Sequence, residues 1–172
     1  MTSIPSSLRP GSATVADSVL DLIGNTPLLK LSDRIALEEG VVANIYLKME
    51  SMEPGNSVKD RIAKKMIEDA EKRGEIAPGR TILVEPTSGN TGIGMALVGA
   101  VKGYDVLLVM PASMSMERRL ILLAFGAKIV LSPAEKGMNG AIAKANQIVT
   151  ELGPRAYMLQ QFNNPSNVAV HL

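Results

Sequence analysis

A chain of 172 residues, 46% of them apolar, has material for one packed core and part of another, and its composition is neither disordered nor membranous. Its formal charge of +1, with both signs interspersed, offers no basic field for nucleic acid, and no apolar run is long enough to cross a bilayer. With no cysteine and one histidine, His171, the chain has no material for disulfides, thiolate nucleophiles, histidine triads or a Cys- or His-built metal site, and no carboxylate spacing suggests a metal.

Residues 1–18 are rich in Ser, Thr and Pro, lack the apolar core of a secretory signal, and read as a flexible arm on a cytoplasmic protein. Leu20–Leu31, LDLIGNTPLLKL, reads as a strand after a Gly-Asn-Thr-Pro turn, outside the series that follows. From residue 44 onward, short apolar strands alternate with helices. Strands are expected at Asn44–Lys48, Thr81–Val84, Asp105–Met110, Lys128–Leu131 and Ala156–Gln160. The first helix, Val58–Arg73, puts Ile62, Met66, Ile67 and Ala70 on one stripe. The second, Thr91–Lys102, stops at Gly103; the third, Met116–Gly126, closes on its own glycine; the fourth, Asn139–Leu152, breaks at Gly153-Pro154. This order predicts an α/β fold, a parallel sheet with helical crossovers over about residues 44–160, with ligands bound outside the carboxyl ends of the strands.

The strand-to-helix loops are therefore where chemistry belongs. In EPTSGNTGIG, Glu85–Gly94, the side chains of Thr87, Ser88, Asn90 and Thr91 precede or open a helix, and Gly89, Gly92 and Gly94 let a ligand approach backbone amides at the positive helix end. That suits a carboxylate or phosphate; an ordinary N-capped helix with a glycine-rich turn has the same look. The spacing is neither the dinucleotide G-x-G-x-x-G nor the Walker pattern. In MEPGNSVKDR, Ser57 reads as an N-cap with Asp60 as its acidic partner, which puts Lys59 in a first turn where the helix dipole opposes its charge. A desolvated amine there is favoured in its neutral, nucleophilic form, whereas a solvated lysine paired with Asp60 would be inert.

Taken together, IGNTPLLKL, SVKDR, EPTSGNTG, MPASMSMERR, LAFGAKIVL and MLQQFNNPSN, in this order over about Asp17–Asn167, resemble the N-terminal region of the cysteine synthase (O-acetylserine thiol-lyase) family. These are fold-type-II pyridoxal-phosphate enzymes, and the resemblance implies a tryptophan-synthase-β-like architecture whose C-terminal half is missing from this chain. Residues 19–172 would then be the N-terminal part of a β-replacing enzyme, with residues 20–40 belonging to the absent larger domain. By the same resemblance Lys59 is catalytic and carries pyridoxal 5'-phosphate, and Asn90 hydrogen-bonds the cofactor's ring hydroxyl. Thr87, Ser88, Gly89, Thr91 and Gln161 hold the substrate's carboxylate.

The implied reaction turns O-acetylserine and sulfide into cysteine and acetate. The implied partners are an amino-acid substrate, sulfide, a second copy in a full-length homodimer, and serine acetyltransferase. Neighbouring activities in the family are β-cyanoalanine synthesis, whose enzymes tend to carry Met where this chain has Thr91, and cystathionine synthesis, whose enzymes usually lack the ASMSMERR and KGMNGAIAKA forms. An inactive regulatory or carboxylate-binding form is the remaining alternative. A second Thr/Gly-rich loop for the cofactor phosphate and a serine for the pyridine nitrogen have no counterpart before Leu172, so the chain alone is expected to be inactive, with its first 40 residues poorly anchored.

Overall fold

The computed structural model describes residues 15–172 except Ser88, so most of the expected N-terminal arm lies outside the described residues. The first elements are a 3-10 turn at Val19–Leu22, strand β1 (Leu28–Lys30), helix α1 (Asp33–Glu38) and strand β2 (Tyr46–Lys48). Helix α2 (Lys59–Lys72) then leads into an alternating series: β3 (Ile82–Pro86), α3 (Asn90–Lys102), β4 (Asp105–Pro111), α4 (Met116–Ala124), β5 (Lys128–Ser132), α5 (Gly137–Leu152) and β6 (Ala156–Met158). A short helix α6 (Pro165–Ala169) follows. No helix among the described residues is long and apolar enough to cross a membrane.

The four strands β3 to β6 form one parallel sheet in the order β5-β4-β3-β6. Its central strands are near-continuous apolar runs because helices cover both faces. Side-chain alternation splits them cleanly. Leu83, Leu108 and Met110 face Ile62, Met66, Ile67 and Met95 of α2 and α3, while Val84 and Val109 face Ala141, Ala145 and Ile148 of α5. The buried stripe of α2 is the one its periodicity predicts. Gly103, at φ +79°, caps α3 as expected; a side chain would be strained there.

One expected strand lies elsewhere. Asn44–Lys48 does not join the parallel sheet; its ordered part, β2, pairs antiparallel with β1, with Leu29 opposite Leu47. The edge of β3 it would need is taken by β6, whose Ala156–Met158 pair with Ile82–Val84. The parallel core thus begins at α2 and not at residue 44. The β1–β2 ribbon is exposed along its length, including Leu28, Leu29, Tyr46 and Leu47.

The segment before the ribbon is better anchored than expected. Leu20 is buried in the α2–α3 core and its carbonyl accepts a hydrogen bond from Lys64 Nζ at 2.8 Å. Thr26 is also buried, and its Oγ1 accepts from Arg61 Nη2 at 2.9 Å while Lys48 donates to its carbonyl. Arg61 is the hub: its Nε and Nη2 each donate to Glu50 at 2.9 Å, and its Nε lies 2.9 Å from Glu53 Oε1.

The Arg61 hydrogen bonds, with help from Thr26, hold the Glu50 carboxyl down at about 2, below its ordinary value of 4.5. A depressed carboxylate stabilises the folded state above its unfolded value and loses that contribution as pH falls through the folded one. Denaturant melts between pH 4.5 and 2 should therefore show a stability loss in the wild type that Glu50→Gln lacks, the two curves running parallel above that window. Equal slopes throughout would mean that the pair contributes nothing.

Candidate functional site

Lys59 is the first residue of α2, and its half-buried position follows from the loop before it. The expected capping arrangement is only half realised. Ser57 Oγ accepts from the Lys59 amide at 3.3 Å, but Asp60 reaches past Ser57 to the amide of Gly55. Asp60 is fully buried, and burial pushes its carboxyl up. It makes no ion pair with Lys59, so the inert, Asp60-paired lysine is not what forms. Among the described residues Lys59 Nζ has no hydrogen-bond or ion-pair partner. Gly55 is required here because a Cβ would collide with the Asp60 carboxylate.

The loop after β3 places the second set of residues. Thr87 is buried; its amide continues the ladder to Val109 at 3.0 Å and its Oγ1 accepts from the Gly89 amide at 3.4 Å. Helix α3 begins at Asn90, whose side chain is exposed, and has no side-chain cap. The Gly92 amide turns back to the Gly89 carbonyl at 3.0 Å, and no side chain caps this positive end of a 13-residue helix. Ser88 lies outside the described residues.

The three glycines of this loop do different work from that expected. Only Gly89 is open, with no atom within 4 Å of where a Cβ would sit. A Cβ on Gly92 would lie 3.0 Å from Thr87 Cγ2 and 3.2 Å from Leu108 Cδ1, and one on Gly94 would lie 2.9 Å from the Lys59 carbonyl oxygen. These two serve packing, not ligand approach. The Gly94 contact nonetheless bears on the site, because it presses the first turns of α2 and α3 together and makes Lys59 a neighbour of the glycine loop.

Gln161 follows β6 and is brought to the same loop. Its Oε1 accepts from the buried Thr91 hydroxyl at 2.7 Å, while its Nε2 has only a 3.5 Å contact with the Pro86 carbonyl. The donor of Thr91 is thus engaged, and the Gln161 amide nitrogen is the group left to donate. Beside the helix starts lies a cavity of about 440 Å³, lined by Gly55, Asn56, Asn90, Ile93 and Phe125 among others. That is the size range of small-molecule sites.

One residue of the site has no signal in loop chemistry. Glu85, fully buried on β3, accepts the Gln160 amide at 2.9 Å and the Gln161 amide at 2.8 Å. A glutamate ending the apolar run Thr81–Val84 is the available clue, since a charge at a doubly covered strand is rarely left without partners.

The sequence profile of the pyridoxal-phosphate dependent enzymes matches residues 19–172. The chain belongs to that family. Among its relatives, a cysteine synthase from a Flavobacterium strain is 52% identical over 90% of this chain, and cysteine synthase 3 from Caenorhabditis elegans is 51% identical over 88% of it. The crystal structure of a cysteine synthase from Entamoeba histolytica covers 99% of this chain and 49% of its own, with a TM-score of 0.86 at 38% identity. That of an O-ureido-L-serine synthase gives 0.85 at 40% identity over 92% of this chain and 48% of its own. The chain spans about half the length of the curated relatives it matches, 48% and 44% of the two cysteine synthases. The fold is that of the fold-type-II members.

The residues present fit the family's cofactor. A half-buried amine without a partner among the described residues opens α2, α3 starts uncapped beside an open glycine, and a cavity of suitable size lies between Gly55–Asn56 and Asn90–Ile93. Lys59 would hold pyridoxal phosphate covalently, and Asn56, Asn90 and Arg118 are the donor-bearing side chains in the cavity wall.

The two kinds of glycine can be separated by substitution. Gly94→Ala, forced against a backbone carbonyl, should lower unfolding stability by about 1–3 kcal/mol. Gly89→Ala, with open space around it, should stay within about 0.5 kcal/mol of the wild type. Denaturant unfolding of both variants checks this, and a stability loss at Gly89 equal to that at Gly94 would reverse the assignment.

Proposed function

We propose that this chain carries the lysine and carboxylate-binding part of an enzyme that makes cysteine from O-acetylserine and sulfide. The observation that carries the reading is the Gly94–Lys59 contact, which sets the amine-bearing turn of α2 beside the uncapped glycine loop of α3. Relatives named cysteine synthase at about 50% identity support the choice of substrate. In this reading the α-carboxylate lies against Thr87, Ser88, Gly89 and Thr91, with Gln161 Nε2 as a further donor. The first amides of α3 face the same charge.

Pyridoxal phosphate, when bound, supplies the electron sink for loss of the α-proton and the β-substituent. Lys59 would hold it until the substrate's amine takes its place, and the amine so freed would take the α-proton on Nζ. Asn90 orients its ring. Acetate leaves from the β-carbon and hydrosulfide takes its place, so that one C–O bond is exchanged for one C–S bond with no change of oxidation state.

The same reading places the protein in the cytoplasm as a homodimer, with serine acetyltransferase as a protein partner. It also assigns residues 20–40 to a larger domain than the one described. The exposed apolar side chains of Leu28 and Leu29 support that assignment, because nothing among the described residues covers them.

Borohydride reduction of a full-length, cofactor-loaded form of the protein, followed by peptide mapping, should find the pyridoxyl group on Lys59 alone, and Lys59→Ala in that form should make no cysteine. Asn90→Ala should shift the cofactor's visible band. Thr91→Val should raise the O-acetylserine KM about tenfold and leave that band in place. A pyridoxyl group on another lysine would overturn the role of Lys59, and a band shift in the Thr91 variant only would exchange those of Asn90 and Thr91.

A further inference from the structure

The ladder between β3 and β6 stops early, at Val84 opposite Met158, although β3 itself runs on to Pro86. Hydrogen bonding along a strand alternates sides. Thr87 donates to Val109 of β4, so the position before it, Pro86, faces β6. Proline has no N–H to offer, and the backbone donor that would hold the end of β6 is missing. Beyond that point the chain bends sharply: Gln160 takes φ +57°, a left-handed conformation that a non-glycine residue adopts only when its surroundings impose it.

The Glu85 carboxylate lies at this bend. Its Oε2 accepts the Gln160 amide at 2.9 Å and its Oε1 the Gln161 amide at 2.8 Å, and the Leu159 amide also favours its charged form. Burial pushes this carboxyl up, and the three amides oppose that. The carbonyls of the bend are held from the other side, Leu159 by Asn164 Nδ2 at 2.8 Å and Gln161 by Asn167 Nδ2 at 2.7 Å. Among the described residues Glu85 ties the bend to the strand that continues into the Thr87–Thr91 loop, beside the long 3.5 Å contact of Gln161 Nε2 with the Pro86 carbonyl.

We infer that Glu85 is a positioning residue: by gathering the amides after β6 it imposes the left-handed Gln160 and so sets Gln161 against Thr91 in the carboxylate site. It does not touch substrate itself. It accepts two amides that the shortened ladder leaves without a strand carbonyl, and it couples the end of one strand to the ligand loop of the next. The inference rests on the reading of Thr91 and Gln161 as carboxylate ligands.

The test uses a full-length, cofactor-loaded form of the protein, with L-alanine as a non-reacting amino acid titrated calorimetrically. Glu85→Gln keeps the size but turns an NH₂ towards backbone donors, and should weaken alanine binding about tenfold. Gln161→Ala should weaken it as much, and the double variant no more than either alone, because both remove one interaction. Amide hydrogen exchange at Gln160 and Gln161 should accelerate in Glu85→Gln, a change that a loss of stability elsewhere would not confine to these residues. Gln160→Gly gives a second route that does not depend on the Glu85 variant folding. Glycine accepts φ +57°, so a bend held by the carboxylate should bind alanine as the wild type does.

Wild-type binding by Glu85→Gln beside weakened binding by Gln161→Ala overturns the positioning role and leaves the site intact. So do additive losses in the double variant, unchanged exchange at the two amides, or a large loss in Gln160→Gly. Wild-type binding by Gln161→Ala overturns the carboxylate reading itself, and the inference with it.

Discussion

The site depends on one close approach, that of Gly94 to the Lys59 carbonyl. Helices α2 and α3 cover the same face of the sheet, and ordinary side chains at their contact would hold the backbones well apart. A glycine at the crossing brings the first turns together. The consequence is electrostatic as well as steric: two positive helix ends fall beside one cavity, and Lys59 sits at the end of one of them. Gly92 plays the matching part towards the sheet, against Thr87 and Leu108, so the loop between β3 and α3 is held from behind while Gly89 stays open in front.

Behind Lys59 lies a frame of buried charge. Glu50, Glu53 and Asp60 surround the turn, with Arg61 as the cation that Glu50 and Glu53 share. Asp60 is the costly member, since its Oδ1 is buried without a partner and its other oxygen takes only the Gly55 amide. A carboxyl so placed is easier to bury protonated, which agrees with the upward push that burial gives it. An apolar residue would fill that space at less cost, but it could not catch the Gly55 amide. The shape of the loop that enters α2 is therefore fixed by hydrogen bonding, and its ionic partners reach back to Thr26 and the segment before β1.

Much of this was legible from residues alone, and the failures have physical causes. The parallel strands show as short apolar runs because they are covered on both faces, and the helices show as stripes and glycine stops. The pairing of β2 was not legible, since its sequence suits any strand and only competition from β6 for the edge of β3 decides against it. The glycines of TSGNTGIG all read as places for a ligand; that Gly92 and Gly94 meet Leu108 and Lys59 depends on how distant elements cross. The candidate residues Thr91 and Gln161 are brought into contact across 70 positions of sequence. Glu85 showed only as a charge ending an apolar run; that it accepts the amides after β6 follows from the register between β3 and β6 and not from any motif.

The contact between Thr91 and Gln161 also constrains how a carboxylate can be held. With the threonine's only donor committed to Gln161 Oε1, the pair cannot act as two independent ligands. Either the hydroxyl turns away and leaves Oε1 buried without a donor, or the pair stays together and Gln161 presents Nε2, whose present contact with Pro86 is long and weak. The second course sacrifices less, because a 3.5 Å contact is exchanged for a charge-assisted one and no buried acceptor is orphaned. It requires the glutamine backbone to be placed in advance. A side chain on a loose bend would have to be ordered by the ligand, and that ordering would be subtracted from affinity. The carboxylate of Glu85 and the left-handed Gln160 thus act together, and what they hold is the backbone from which the Gln161 side chain reaches Thr91.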